Sequence, residues 1–85
     1  MDTQNQVRAV LDEVLSLKGR SARFDDGTPL LGGIPELDSM AVVGVLTLLE
    51  DRFGIAVEDD EIDGSTFATF GSLVAFVQQK LEALT

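Results

Sequence analysis

Glu36-Leu37-Asp38-Ser39-Met40, then Ala41-Val42-Val43-Gly44-Val45-Leu46-Thr47-Leu48-Leu49, then Glu50-Asp51-Arg52-Phe53-Gly54, is the stretch on which the fold turns. An acid and a serine stand where an apolar helix should begin, and a glycine stands where it should end. Asp38 suits the N-cap, because its carboxylate can accept N–H groups of the first turn and its charge suits the positive end of the helix dipole. Gly54 suits the position just past the helix, where the chain turns left-handed. The spacing predicts a helix from Ser39 to Arg52 or Phe53, with Val42, Val45, Leu46, Leu49 and Phe53 as one apolar stripe. Met40, Val43 and Thr47 fall off that stripe. An apolar residue there is either simply exposed or a contact for a partner. Gly44 costs roughly 1 kcal/mol relative to Ala inside a helix, which a close contact with another helix or with a partner would justify.

Upstream, residues 3–18 read as a first helix. Thr3 and Gln6 have capping-box spacing. Val7, Val10, Leu11, Val14, Leu15 and Leu17 follow the helical period, Arg8, Asp12 and Glu13 lie off it, and Gly19 is a stop. Residues 20–37 contain Gly27, Pro29, Gly32, Gly33 and Pro35, too many breakers for a helix. They form a long connection, tied to the core by Phe24, Leu30, Leu31, Ile34 and Leu37. Lys18, Arg20 and Arg23 make a small basic patch, read as a solubility feature.

Downstream, Ile55-Ala56-Val57 is an extended link. Residues 59–65 suit a brief third helix or a 3₁₀ turn. Thr69 caps a fourth helix over residues 70–83, whose stripe is Phe70, Leu73, Val74, Val77, Leu81 and Leu84, with Phe76 on its flank. The fold class is all-α: one domain, residues 1–85, built as a small four-helix antiparallel bundle with a long first loop and a short third helix.

Composition bounds the chemistry. The chain has 85 residues, 45% of them apolar, a net charge of −9, and neither His nor Cys. That apolar content supports a folded core despite the charge. Thiol nucleophiles, imidazole bases and the common zinc sites are unavailable. No apolar run approaches the roughly 18 residues of a membrane span, and the polar N-terminus is no secretory signal, so the expectation is a cytoplasmic monomer. The charge is concentrated: residues 36–63 hold nine acids and one base, a local net of −8. Nucleic acid and anionic membranes are poor partners for such a surface, and a basic protein patch is a good one.

An Asp-Ser pair alone reads as a helix cap. In context it reads differently. Asp38-Ser39-Met40, Leu49-Glu50-Asp51-Arg52-Phe53-Gly54-Ile55, Asp59-Asp60-Glu61-Ile62 and Phe67-Ala68-Thr69-Phe70-Gly71-Ser72-Leu73 stand in the order and spacing of the acyl carrier protein family. The chain resembles that family over almost its whole length. The resemblance implies a carrier, not an enzyme, whose Ser39 hydroxyl holds a covalent 4′-phosphopantetheine arm with an acyl group on it as a thioester. It also implies a phosphopantetheinyl transferase and an acyl-loading ligase or acyltransferase with a basic docking patch as partners. The docking residues would be Glu36, Asp38, Met40, Val43, Glu50, Asp51, Asp59 and Asp60.

Met40 replaces the family's usual Leu. Positions 41 and 44 are Ala and Gly where many fatty-acid carriers place acids, which points to a dedicated loading enzyme instead of general fatty-acid enzymes. The run from Gly33 to Val43 is similar to bacterial carriers associated with exosortase and exopolysaccharide loci. Other readings stay open: a peptidyl or aminoacyl carrier, or an unmodified acidic docking domain. Asp59-Asp60-Glu61-Ile62-Asp63-Gly64 begins like an EF-hand loop, but Phe70 stands where the bidentate Glu is needed, so no metal site is expected.

Overall fold

A computed structural model describes residues 3–84; residues 1, 2 and 85 and the side chain of Asp59 lie outside the described set. Its helices are α1 (Thr3–Leu15), α2 (Ser39–Phe53) and α3 (Phe70–Ala83), with 3₁₀ turns at Arg20–Arg23 and Asp59–Glu61. Among the described residues this is an all-helical fold with three α-helices where four were expected. The place of the short third helix is taken by the Asp59–Glu61 turn. Its neighbours explain why it does not lengthen: Asp63 Oδ1 accepts the Ser65 N–H at 2.9 Å and the Thr66 N–H at 3.3 Å. These local side-chain bonds offer the backbone an alternative to a helix. No helix among the described residues is long and apolar enough to cross a membrane.

α1 packs against both α2 and α3. Val7, Val10, Leu11 and Leu15 from α1, Val45 and Leu49 from α2, and Phe70, Leu73, Val74 and Val77 from α3 are buried in one core. α1 already includes Thr3, so Thr3 is not the N-cap that its spacing from Gln6 implied. The helix also stops earlier than expected, at Leu15 and not residue 18. Ser16 takes a positive φ of 54°, and the Leu17 N–H reaches back to the Asp12 carbonyl at 3.1 Å, which closes the helix. Leu17 is nevertheless buried, so the apolar period outran the helix. Leu84 departs from its expected place: it lies past the end of α3 and is 60% exposed.

The long loop is fastened at several points. Arg8, off the α1 stripe, donates to the Phe24 carbonyl from Nε at 3.2 Å and Nη2 at 2.8 Å. Its guanidinium lies 5.0 Å from the centre of the Phe70 ring, and Phe24 meets the same ring edge-on. Asp12 accepts the Gly19 N–H at 2.8 Å and also the Ser21 hydroxyl. Leu30, Ile34 and Leu37 are buried as expected. The N–H groups of Leu30 and Leu31 donate to the carbonyls of Ala68 and Phe67, at 3.1 and 2.9 Å. Leu31 itself is 46% exposed, contrary to its expected place in the core. Leu31 opens a turn closed by the Gly33 N–H on the Leu30 carbonyl, which leaves Leu30 in the core and Leu31 at the surface.

Candidate functional site

The start of α2 is set by Asp38. Its backbone is extended (φ −115°, ψ −174°), and Oδ1 accepts the Ala41 N–H at 2.8 Å. The Asp38 carbonyl takes the Val42 N–H at 2.9 Å, the first bond of the helix ladder. Ser39 is therefore the first helical residue. It is exposed, and its hydroxyl has no hydrogen-bond partner among the described residues. At the far end Gly54 adopts φ +66° and its N–H bonds the Glu50 carbonyl, which ends the helix as its sequence position implies.

The helix face beside Ser39 is apolar. Met40 is 80% exposed and Val43 61% exposed. Ser39, Val42, Leu31, Ile62, Asp63, Gly64 and Phe67 line an open cleft of ≈ 280 Å³. Leu31, Ile62 and Phe67 were not foreseen in this role. Their positions in sequence carry no signal for it, since the cleft forms only when the long loop and the 62–67 segment meet α2.

The acids do not form one uniform face. Asp38, Asp51 and Asp60 are exposed. Glu36 is held by Arg20, which keeps its carboxyl below the ordinary carboxylate range. Arg20 is thus an anchor for the approach to Ser39, beyond the solubility role expected of it. Glu50 accepts the Val57 N–H at 2.8 Å and is half-buried. Glu61 is bridged by Lys80 at 2.8 Å, and that ammonium lowers its pKa. Asp63 is lowered by its bonds from Ser65 and Thr66. The EF-hand-like acids are thus turned to different partners, and among the described residues no three acids converge as a metal site. The Asp59 side chain, named as a docking candidate, lies outside the described set.

Ala41 and Gly44, the two neutral positions, are both half-buried. Ala41 packs on the core, and a Cβ on Gly44 would lie 3.2 Å from Val14 Cγ1 of α1. The surface α2 offers near Ser39 is therefore made by Met40 and Val43.

This arrangement fits a phosphopantetheine arm. The serine hydroxyl is open to a modifying enzyme, and the positive end of α2 favours a phosphodiester by roughly 0.3–1 kcal/mol. Asp38 opposes that with a like charge. When bound, the arm supplies the thiol that a chain without Cys lacks, and the thiol holds the acyl group as a thioester.

Comparisons with known proteins agree. Residues 5–77 match the family described as the phosphopantetheine attachment site. The fold is similar to that of a holo acyl carrier protein from Nitrosomonas europaea, solved by solution NMR. That structure is 50% identical, with a TM-score of 0.88, over 96% of this chain and 99% of that one. Among curated proteins nothing matches the chain significantly. A family match over most of the sequence and that degree of identity over nearly all of it place the chain in the acyl carrier protein family, as a carrier that holds acyl groups on a covalently attached 4′-phosphopantetheine arm.

Proposed function

We propose that Ser39 is the attachment point of the arm, and that the chain acts as a single-domain carrier and not as a catalyst. The observation that carries this is the exposed, unpartnered Ser39 hydroxyl at the first position of α2, behind the Asp38 cap. Ser39 also falls inside the matched residues 5–77. Of the four other serines, Ser16 is exposed but lies in the left-handed turn that ends α1 and not at a helix start, Ser21 is buried and bonded to Asp12, and Ser65 and Ser72 are bonded to Asp63 and Thr69. No His stands anywhere in the chain to activate a serine, so Ser39 is a passive acceptor, deprotonated in the active site of a phosphopantetheinyl transferase.

That transferase and an acyl-loading ligase or acyltransferase dock on the Ser39 end of α2. Met40 and Val43 supply apolar contact, and Asp38 and Asp60 attract basic residues of the partner. Asp51 lies at the other end of α2, about 18 Å along the helix at 1.5 Å per residue, and serves partners with a long footprint. Glu36 and Glu50 hold the site's shape through Arg20 and Val57. With Ala41 and Gly44 where many fatty-acid carriers place acids, a dedicated loading enzyme fits better than general fatty-acid enzymes.

The test is modification by a transferase with coenzyme A, followed by intact mass and peptide mapping. The wild type should gain one arm, on Ser39. Ser39→Ala should fold with the same thermal midpoint and gain none. An arm mapped to another serine, or unchanged modification of Ser39→Ala, sinks the assignment.

A further inference from the structure

Sulfur is scarce in this chain. There is no Cys, Trp, Tyr or His, and there are two methionines, Met1 and Met40. Their thioethers are therefore the side chains that a mild oxidant attacks most readily here. Met1 lies outside the described residues. Met40 stands at the second position of α2, directly after Ser39. It is 80% exposed, more than any other large apolar side chain among the described residues, and takes no part in the core. Val43, three residues on and also exposed, lies on the same side of the helix. The two make one apolar surface at the Ser39 end of α2, and the sulfur of Met40 is open to solvent within it.

Oxidation would change the polarity of this surface and leave its charge alone. A sulfur lone pair attacks one oxygen of hydrogen peroxide, the O–O bond breaks, an S–O bond forms, and the other oxygen leaves as water. Sulfur is oxidised by two electrons and the peroxide is reduced by two. The product, methionine sulfoxide, is polar and chiral. In the free carrier, water solvates the new oxygen, and no core contact is disturbed. In a docked complex the same oxygen is pressed against the apolar contact of the partner. A polar group buried there without a hydrogen-bond partner is costly.

We propose that Met40 is a reversible oxidation site, and that its sulfoxide weakens docking of the enzymes that act at Ser39. The proposal rests on the reading of Ser39 as the attachment point and of Met40 as a docking contact. Leu, the family's usual residue at this position, gives similar apolar bulk without sulfur. The sensitivity therefore belongs to the methionine of this chain and not to the carrier fold. Because the sulfoxide carries no net charge, long-range attraction between the acidic carrier and a basic partner is retained, and the loss falls on close contact. Sulfoxide reductases return the thioether, one enzyme type for each epimer.

The experiment treats the full chain, before arm attachment, with dilute hydrogen peroxide and then removes the peroxide. Transfer of the arm from coenzyme A by a phosphopantetheinyl transferase is followed next. Peptide mapping of untreated protein first places the arm on Ser39. Mapping of treated protein should place one added oxygen on Met40, with the thermal midpoint unchanged. KM for the carrier should rise about tenfold, as a buried unpaired polar group implies. The kcat should change little, because the lost contact is made equally before and during the reaction. Reductases for both epimers should restore KM. Met40→Leu, whatever its own KM, should show the same value before and after treatment, which separates Met40 from Met1. A Met40 left intact while Met1 is oxidised overturns the proposal, as does an unaltered KM in protein that carries the Met40 sulfoxide. An equal rise in treated Met40→Leu, or a midpoint that drops on oxidation, places the effect elsewhere and overturns it too. An arm mapped away from Ser39 in untreated protein overturns instead the reading beneath it.

Discussion

Asp38 has two duties that different substitutions separate. Its carboxylate caps α2 through the Ala41 N–H, and its charge lies beside the serine that a partner must reach. Asp38→Ala removes the cap and should cost about 1 kcal/mol, within the range 0.5–2 for such losses. Asp38→Asn keeps an acceptor in place and caps about as well, so urea denaturation should find it within a few tenths of the wild type. If the charge serves recognition, Asp38→Asn should still be modified more slowly by the transferase. Equal rates for Asp38→Asn and wild type would leave Asp38 a cap only. At this scale the sequence was informative wherever a residue acts on its near neighbours. Asp38, Gly54 and Thr69 behave as read because a cap bonds groups only a few residues away; Thr69 and Ser72 even exchange bonds at 3.1 Å. Leu31, Ile62 and Arg8 were not legible in their structural roles, because each depends on a partner brought close only by the tertiary fold.

Where α2 packs on α1, Gly44 decides how closely they approach. A methyl group at this position meets Val14 Cγ1 at 3.2 Å, close enough that the valine must give by a few tenths of an ångström. Val14 is half-buried at the edge of the core and has room to do so. Helix propensity favours Ala over Gly by about 1 kcal/mol. Gly44→Ala should therefore stabilise the fold, by less than that amount, in urea denaturation. Gly44→Val adds branches toward the same contact and should destabilise by about 1–3 kcal/mol, as overpacked sites do. The pair Gly44→Val/Val14→Ala should recover part of that loss. A clear loss of stability in Gly44→Ala would show that Val14 is held too firmly to move. The glycine was readable as a close contact, though not which helix it met. The helices themselves were legible because their apolar stripes are long. Their ends were less so: the period reports burial, and Leu17 is buried without being helical. Of the two forms expected near residues 59–65, a brief helix or a 3₁₀ turn, the turn is found, because Asp63 and Glu61 spend their carboxylates on local and α3 partners.

Across the whole molecule, salt should act on stability and on recognition in opposite directions. The net charge of −9 is concentrated on residues 36–63, and the ion pairs seen among the described residues, Arg20–Glu36, Arg52–Glu13 and Lys80–Glu61, are mostly exposed. Exposed pairs contribute little, whereas unbalanced like charge opposes compaction. Screening over about 8–10 Å at physiological strength should therefore relieve more repulsion than attraction. At pH 7 the thermal midpoint should rise as salt is added, while modification by a transferase with a basic patch slows. A midpoint that falls with salt would mean that the ion pairs outweigh the repulsion. Acid separates the same two effects along the pH axis. Toward the pI of about 4.1 the net charge vanishes, so stability should first rise as pH falls from 7. Asp12, Glu36, Glu61 and Asp63 have lowered pKa values, through Ser21, Arg20, Lys80 and Ser65 respectively. Folded, these groups hold their protons more weakly than in the unfolded chain, so their contribution is complete above the ordinary carboxylate range of about 4. It is lost as pH falls through their lower folded values. Stability against pH should thus peak on the acid side of neutrality and drop below about 4. Asp12→Asn, which weakens the tie between α1 and the long loop, should shrink that acid drop and leave the salt response at pH 7 almost unchanged. An acid limb of unaltered steepness in Asp12→Asn would assign the loss to other carboxylates.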